Sequence, residues 1–411
     1  MASAGAPGAT PLGVRTALTN IGTIVSGDLD RGVIPGEAIL IEEGRIARIG
    51  ESAEVGGWKA EVVLDALGTT VIPGLIDSHV HMVLGDYTPR QKAVDFLDSY
   101  VHGGVTTVIS AGEGIHAPGR PHDAVAAKAL AIAAAKCSAG FRPTGMKVVA
   151  GSVVLEPGLT EADFAEMARH GVRLAKVGFG QVQTPFDYEP LVRWAQQHGI
   201  TVMAHTGGTS LPGSVPITEE HLLKMRPDVC GHANGGTTAL TDQGVERLVR
   251  ESDLVLQIVQ AGNLRSALHM LKLAAAHRAL SRILIASDTP TGTGLMPMAL
   301  LKSIAELSSL GGLPAPQTIA LATGNVARVY GLADRGTIEV GKAADLVVMD
   351  APFGSAAKMA LEAFQIGDIP GISAVLIDGE IRTLRSRNTP MATRLATLAD
   401  ARGDRPGGST H

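Results

Sequence analysis

Six residues could do chemistry together. Val71-Ile72-Pro73-Gly74-Leu75-Ile76 is an apolar run that ends in Asp77-Ser78-His79-Val80-His81. His79 and His81 are two apart, so on a strand both imidazoles leave the same side. Neutral imidazoles are metal ligands. Four more polar residues follow short apolar runs in the same way: Lys176 after Leu174-Ala175, His205 after Met203-Ala204, His232 after Cys230-Gly231 and Asp288 after Ala286-Ser287. Each has an ordinary reading alone. A lone His is satisfied by a hydrogen bond, a lone Lys snorkels, and a lone Asp caps the next helix. Six such residues at the ends of five strands point instead to a shared site. Nitrogen and oxygen donors without thiolate suit zinc first, with iron, cobalt or manganese as alternatives. Six ligands exceed what one tetrahedral ion can take while keeping a water, and suit two divalent ions sharing a bridge. An ammonium cannot bind a cation, but a CO2-derived carbamate on Lys176 could bridge both. Burial beside cations favours the neutral amine that must react.

The elements that would position these residues alternate. Short apolar strands are predicted at 71–77, Val105 to Ile109, Lys147 to Ala150, Leu174 to Val177, Thr201 to Ala204, Asp228 to Cys230, Leu254 to Ile258 and Ile283 to Ala286. Helical segments fall between them, among them 121–136, 160–170, 187–198, 241–251 and 263–279. Eight alternations over roughly 230 residues are the pattern of a (β/α)8 TIM barrel, whose reactive residues stand at the C-terminal strand ends. Helices at 297–309 and 317–330 follow. His102, His170, His198, His221, His269 and His277 fall in helical segments and read as surface or packing residues.

Before the barrel the chain is β-like, at Thr16 to Ile24, Ala38 to Glu42, Arg45 to Ile49 and Val62 to Asp65, with a hairpin signal at Glu42-Glu43-Gly44-Arg45. After it, β-like segments return at Gly336-Thr337-Ile338, Asp345 to Met349 and Ala374 to Ile377. The expected class is α/β: a barrel over 73–335, a small β-sandwich from 1–72 and 336–390, and a flexible tail over 391–411.

Composition narrows the partners. The chain has 411 residues and a net charge of -5, with no basic block, so neither nucleic acid nor a membrane surface is expected as partner. Aromatic residues are only 3%, too few for base-stacking platforms. One core stops growing near about 250–300 residues, which suits one large and one small domain. Cys137 and Cys230 cannot form a disulfide framework, and a reducing cytoplasm is expected. The first ten residues lack the basic and apolar regions of a signal peptide. No apolar run reaches the roughly 18–20 residues a membrane span needs.

These residues resemble the amidohydrolase superfamily of metal-dependent hydrolases over nearly the whole chain. The resemblance is carried by the VIPGLIDSHVH entry to the barrel, by the set His79, His81, Lys176, His205, His232 and Asp288, and by Gly341-Lys342-Ala343-Ala344-Asp345-Leu346-Val347-Val348. Lys176 resembles the bridging carbamylated lysine of the binuclear branch. Gly231-His232-Ala233-Asn234-Gly235-Gly236 looks most like the enamidases and related cyclic-amide hydrolases. The chain departs from dihydroorotases in having no Arg soon after His81; Arg90 lies nine residues on.

The resemblance implies hydrolysis of a C–N amide bond in a small cyclic substrate by a metal-activated bridging hydroxide. Asp288 is both ligand and catalytic proton shuttle, and a homo-oligomer is expected. Deamination of an amino-heterocycle stays open as an alternative, as does lactone, ester or organophosphate hydrolysis. A non-catalytic relative is disfavoured by the intact ligands. Asn234 is a candidate substrate contact. Gln257 and Asn263 could orient a polar ring or be structural.

Overall fold

The computed structural model describes residues 14–82, 93–115, 122–210, 214–290 and 297–399. Arg90, the loop at 83–86 and the chain from 400 onward lie outside these.

Eight parallel strands form the barrel. They are strand one (Leu75–Val80), strand two (Val105–Ser110), strand three in two pieces (Lys147–Val149 and Ser152–Val154), strand four (Leu174–Val177), strand five (Thr201–His205), strand six (Val229–Gly231), strand seven (Val255–Val259) and strand eight (Ile283–Ala286). Strand three is longer than the sequence suggests. Its first piece pairs with strand two and its second with strand four. Gly151, at φ 91°, sits between the pieces. The seam between strands eight and one closes through a parallel bridge from Val80 to Thr289, with Asp288 N–H donating to the His79 carbonyl at 3.0 Å. Ring closure therefore sets Asp288 beside the two histidines of strand one.

The remaining strands form two sheets. One orders Thr397–Ala399, Val62–Asp65, Thr16–Thr19, Ala38–Glu42 and Arg45–Gly50. The other orders Glu380–Leu384, Gly371–Ile377, Leu346–Asp350, Thr70–Pro73, Thr23–Val25 and Val33–Ile34. Strands from both ends of the chain thus share both sheets. Side chains alternate along a strand, and the second sheet is buried on both faces. Val71, Leu346 and Val348 face the sandwich core, whereas Ile72, Val347 and Met349 join the core shared with the barrel. This is why the segment after Asp345 is an unbroken apolar run.

Five expectations need correction. Gly336-Thr337-Ile338 forms no strand. The run 71–77 is not one strand. Thr70–Pro73 pairs within the sandwich and Leu75–Val80 within the barrel. Gly74 stands where they part, and a side chain there would collide with that of Thr106. The run 16–24 also splits, because Asn20 at φ 52° turns the chain from one sheet to the other. The helix expected at 317–330 is two, Ala315–Leu321 and Gly324–Val329. Residues 391–399 are not a loose tail. Thr397–Ala399 pairs with Val62–Asp65, Ala392 is buried, and Arg394 grips the buried Asp350 at 2.7 Å.

Among the described residues no helix is long and apolar enough to cross a membrane. Cys137 is exposed, Cys230 is buried, and both are free.

A buried ion pair links the two units. Lys147, opening strand three, lies 2.7 Å from Asp345 Oδ2 and 2.7 Å from Asp378 Oδ1, and the Lys147 and Asp345 side chains are almost fully buried. Removing one partner of such a pair leaves an uncompensated charge, at a cost of about 3–5 kcal/mol. Lys147→Met is expected to lose that much in urea unfolding, and adding Asp345→Leu to recover most of it. A single variant within about 0.5 kcal/mol of wild type would contradict this.

Candidate metal centre

All six candidate ligands converge above the C-terminal ends of the barrel strands. His79 and His81 come from strand one and the residue after it, Lys176 from strand four and His205 from strand five. His232 and Asp288 follow strands six and eight. Strand interiors are mostly apolar because both barrel faces are buried, and the six candidate ligands stand where the strands open into the mouth.

The site has two halves. In the first, His79, His81 and Asp288 each offer one donor atom, all within 4.8 Å of one another. Asp288 Oδ1 lies 3.0 Å from His81 Nε2 and 3.4 Å from His79 Nε2. In the second, His205 Nδ1 lies 2.9 Å from His232 Nε2. The Gly208 carbonyl, 2.6 Å from His205 Nε2, can only accept. His205 therefore carries its proton on Nε2 and turns the bare Nδ1 toward His232. Lys176 Nζ lies 3.5 Å from His79 Nε2 and 3.4 Å from Met203 Sδ. It has no carboxylate within ion-pair distance among the described residues. His232 at φ 38° and Asp288 at φ 61° both have left-handed backbones. Such strain persists where the surroundings over-determine it.

Electrostatics suit cation binding. Burial lowers His79 and His232 far below the usual imidazole range, helped for His79 by the charge of Lys176 and for His232 by that of His205. Burial also takes His205 down to about 4. The three rings are neutral at pH 7 with lone pairs available. Burial opposes the charge on Asp288, but His79 and His81 outweigh it and hold the carboxyl well below the usual carboxylate range. Burial brings Lys176 down to about 8. It pushes the nearby Cys230 thiol up to about 12, so no thiolate competes as donor. A neutral-imidazole and carboxylate set fits a divalent ion of the zinc, iron, cobalt or manganese type.

Two polar residues near the site are occupied elsewhere, and a third is held by the site itself. Asn234 is buried, donates through Nδ2 to the Val259 carbonyl at 3.0 Å and accepts from Val259 N–H at 2.8 Å. With its amide tied to strand seven, the expected substrate contact is corrected to a backbone brace. Asn263 caps the helix Leu264–Ala276 by accepting from Ser266 N–H. Gln257 lies inside the barrel against His79.

Sequence reading assigned no role to a second group. Asp77, pushed up to about 7 by burial, accepts from the N–H groups of His79 and Ser287. The Tyr100 hydroxyl bonds Ser287 Oγ and Thr289 Oγ1. Together they brace the Asp288 turn from behind. Asp77 stands in the signature stretch; nothing local marks Tyr100.

The amidohydrolase family profile matches residues 70–382. An enamidase of Eubacterium barkeri is 47% identical over 385 residues, covering 93% of this chain and 99% of its own. An imidazolonepropionase of Maricaulis maris is 28% identical over 383 residues, covering 80% of this chain and 91% of its own. Among solved structures, an enamidase of the amidohydrolase superfamily superposes with a TM-score of 0.89 at 46% identity, covering 94% of this chain and all of its own. A molinate hydrolase, at 18% identity and a TM-score of 0.58, shares the fold alone.

Proposed function

The chain belongs to the amidohydrolase family and is a hydrolase of C–N bonds other than peptide bonds, and from that premise we propose that it opens a small cyclic amide at a binuclear metal centre. The observation that carries this reading is the convergence of His79 Nε2, His81 Nε2 and Asp288 within 4.8 Å, beside a facing His205–His232 pair. The likeness to an enamidase over nearly both whole chains supports the cyclic amide as substrate class.

His79, His81 and Asp288 would hold one ion and His205 and His232 the other, with Lys176 as a carbamate between them. Divalent ions, zinc first, supply Lewis acidity toward a carbonyl oxygen and acidify water. The neutral rings of His79, His205 and His232 would offer their lone pairs to the ions. Asp288 is ionised and takes the proton of the attacking water. As the C–N bond breaks, the hydroxyl stays on carbon, and Asp288 returns the proton to the departing nitrogen. The finer reading also includes a cytoplasmic homo-oligomer; the free Cys137 and Cys230 suit a reducing compartment.

Elemental analysis of protein grown in metal-supplemented medium is expected to find close to two divalent ions per chain. His79→Ala and His81→Ala are expected to lower metal content and activity together. A metal-free wild-type protein would overturn the reading. A panel of cyclic amides, lactones and amino-heterocycles, followed by product mass, tests the substrate class. Ring opening by one water is expected, whereas ammonia release with the ring intact would make the enzyme a deaminase.

A further inference from the structure

We propose that Gln257 is the positioning residue that couples the two halves of the centre. Its side chain selects which nitrogen of His79 faces the metal, and its two oxygens hold the turn that carries His232. The proposal rests on the metal-centre reading above.

The orientation of the Gln257 amide follows from its neighbours. One end lies 3.3 Å from the His232 backbone N–H, which can only donate. The other lies 2.9 Å from Ser78 Oγ and 3.5 Å from the Ser78 carbonyl, which can only accept. Oε1 therefore faces His232 and Nε2 faces Ser78. The same Oε1 is 2.6 Å from His79 Nδ1. An amide oxygen can only accept, so Nδ1 carries the proton and Nε2 keeps its lone pair. His79 Nε2 is the atom that lies 3.4 Å from Asp288 Oδ1 and 3.5 Å from Lys176 Nζ. The other tautomer would set two lone pairs 2.6 Å apart and turn an N–H toward the centre.

Gln257 also acts on the second half. Its backbone carbonyl accepts from Ala233 N–H at 2.9 Å, so both of its oxygens grip the 232–233 turn. His232 holds φ 38° at that turn. Gln257 is fully buried, and its amide is engaged at both ends by the protein. It acts through the two histidines.

The test compares wild type with Gln257→Leu and Gln257→Glu. Leucine keeps much of the volume and removes the acceptor; glutamate keeps the acceptor. Two quantities are measured: affinity for zinc by chelator competition, and the His79 tautomer by NMR of metal-free protein carrying isotope-labelled histidine. Loss of an outer-shell partner typically weakens metal binding about 10–100-fold. Gln257→Leu is expected to bind zinc weaker by that factor and to lose the Nδ1-protonated form of His79. Gln257→Glu is expected to keep both near wild type. Wild-type affinity and tautomer in Gln257→Leu would overturn the proposal. So would a folded Gln257→Glu as weak as Gln257→Leu, because only packing would then explain the loss. If Gln257→Leu does not fold, Gln257→Met takes its place under the same criteria. A wild-type protein that binds no zinc fails the metal-centre reading instead, and the tautomer of metal-free protein still decides on Gln257.

Discussion

Asp288→Asn is expected to lower kcat by about 100 to 10,000-fold, the range typical of a general acid–base group. The change isolates the chemistry because the backbone should tolerate it. Asp288 sits at φ 61°, a left-handed conformation that Asn adopts as readily as Asp and most other residues do not. The amide keeps the size of the carboxylate and one oxygen toward His81, which lies 3.0 Å from Asp288 Oδ1. What it loses is the negative charge that His79 and His81 stabilise in the wild-type site. It can neither take a proton from water nor return one to nitrogen. The loss should persist at saturating zinc, with unfolding close to wild type. Near wild-type turnover in the metal-loaded variant would remove Asp288 from the proton path.

Lys176→Ala is expected to cost about 1,000-fold or more in activity, because in the proposed binuclear centre losing the bridge would disturb both ions, and metal activation is worth several kcal/mol. Lys176 is fully buried, with no carboxylate in ion-pair range among the described residues. A bare ammonium there, beside two dications, would be repelled strongly. Burial already brings the amine down to about 8, so far more of it is neutral near neutral pH than for an ordinary lysine. The neutral amine adds CO2, forms an N–C bond and releases one proton, which leaves a carboxylate in place of a cation. Intact-mass measurement of gently handled protein should find the mass of one CO2 on Lys176. Activation of metal-free protein by bicarbonate and zinc should rise with pH through about 8, because deprotonation limits the addition. A short carboxylic acid should partly restore Lys176→Ala by filling the vacated bridge. Lys176→Arg should stay inactive, since guanidinium keeps its charge. A bare amine in an active, metal-loaded enzyme would refute the carbamate and favour a mononuclear site.

The sequence by itself determined the types of the six candidate ligands and the ends of the strands that carry them. Period-two geometry puts His79 and His81 on one side of a strand, and apolar strands make Lys176, His205, His232 and Asp288 conspicuous where each run stops. The alternation of strand and helix then allows little but a barrel. Tertiary structure decided the rest, because those choices depend on contacts with no local signal. The run across Gly74 is apolar on both sides, since Thr70–Pro73 and Leu75–Val80 are each buried on both faces; periodicity cannot show that they belong to different sheets. Thr397–Ala399 has two exposed residues and becomes a strand only because Val62–Asp65 offers an edge. Asn234 and Gln257 look alike in sequence as polar residues near strand ends. One braces a neighbouring strand, whereas the other reaches His79, 178 residues away in the chain, across the closed barrel. Which amide meets which partner is set by ring closure, which brings strands one, six and seven around one axis. A one-dimensional pattern carries the residue types but not that distance.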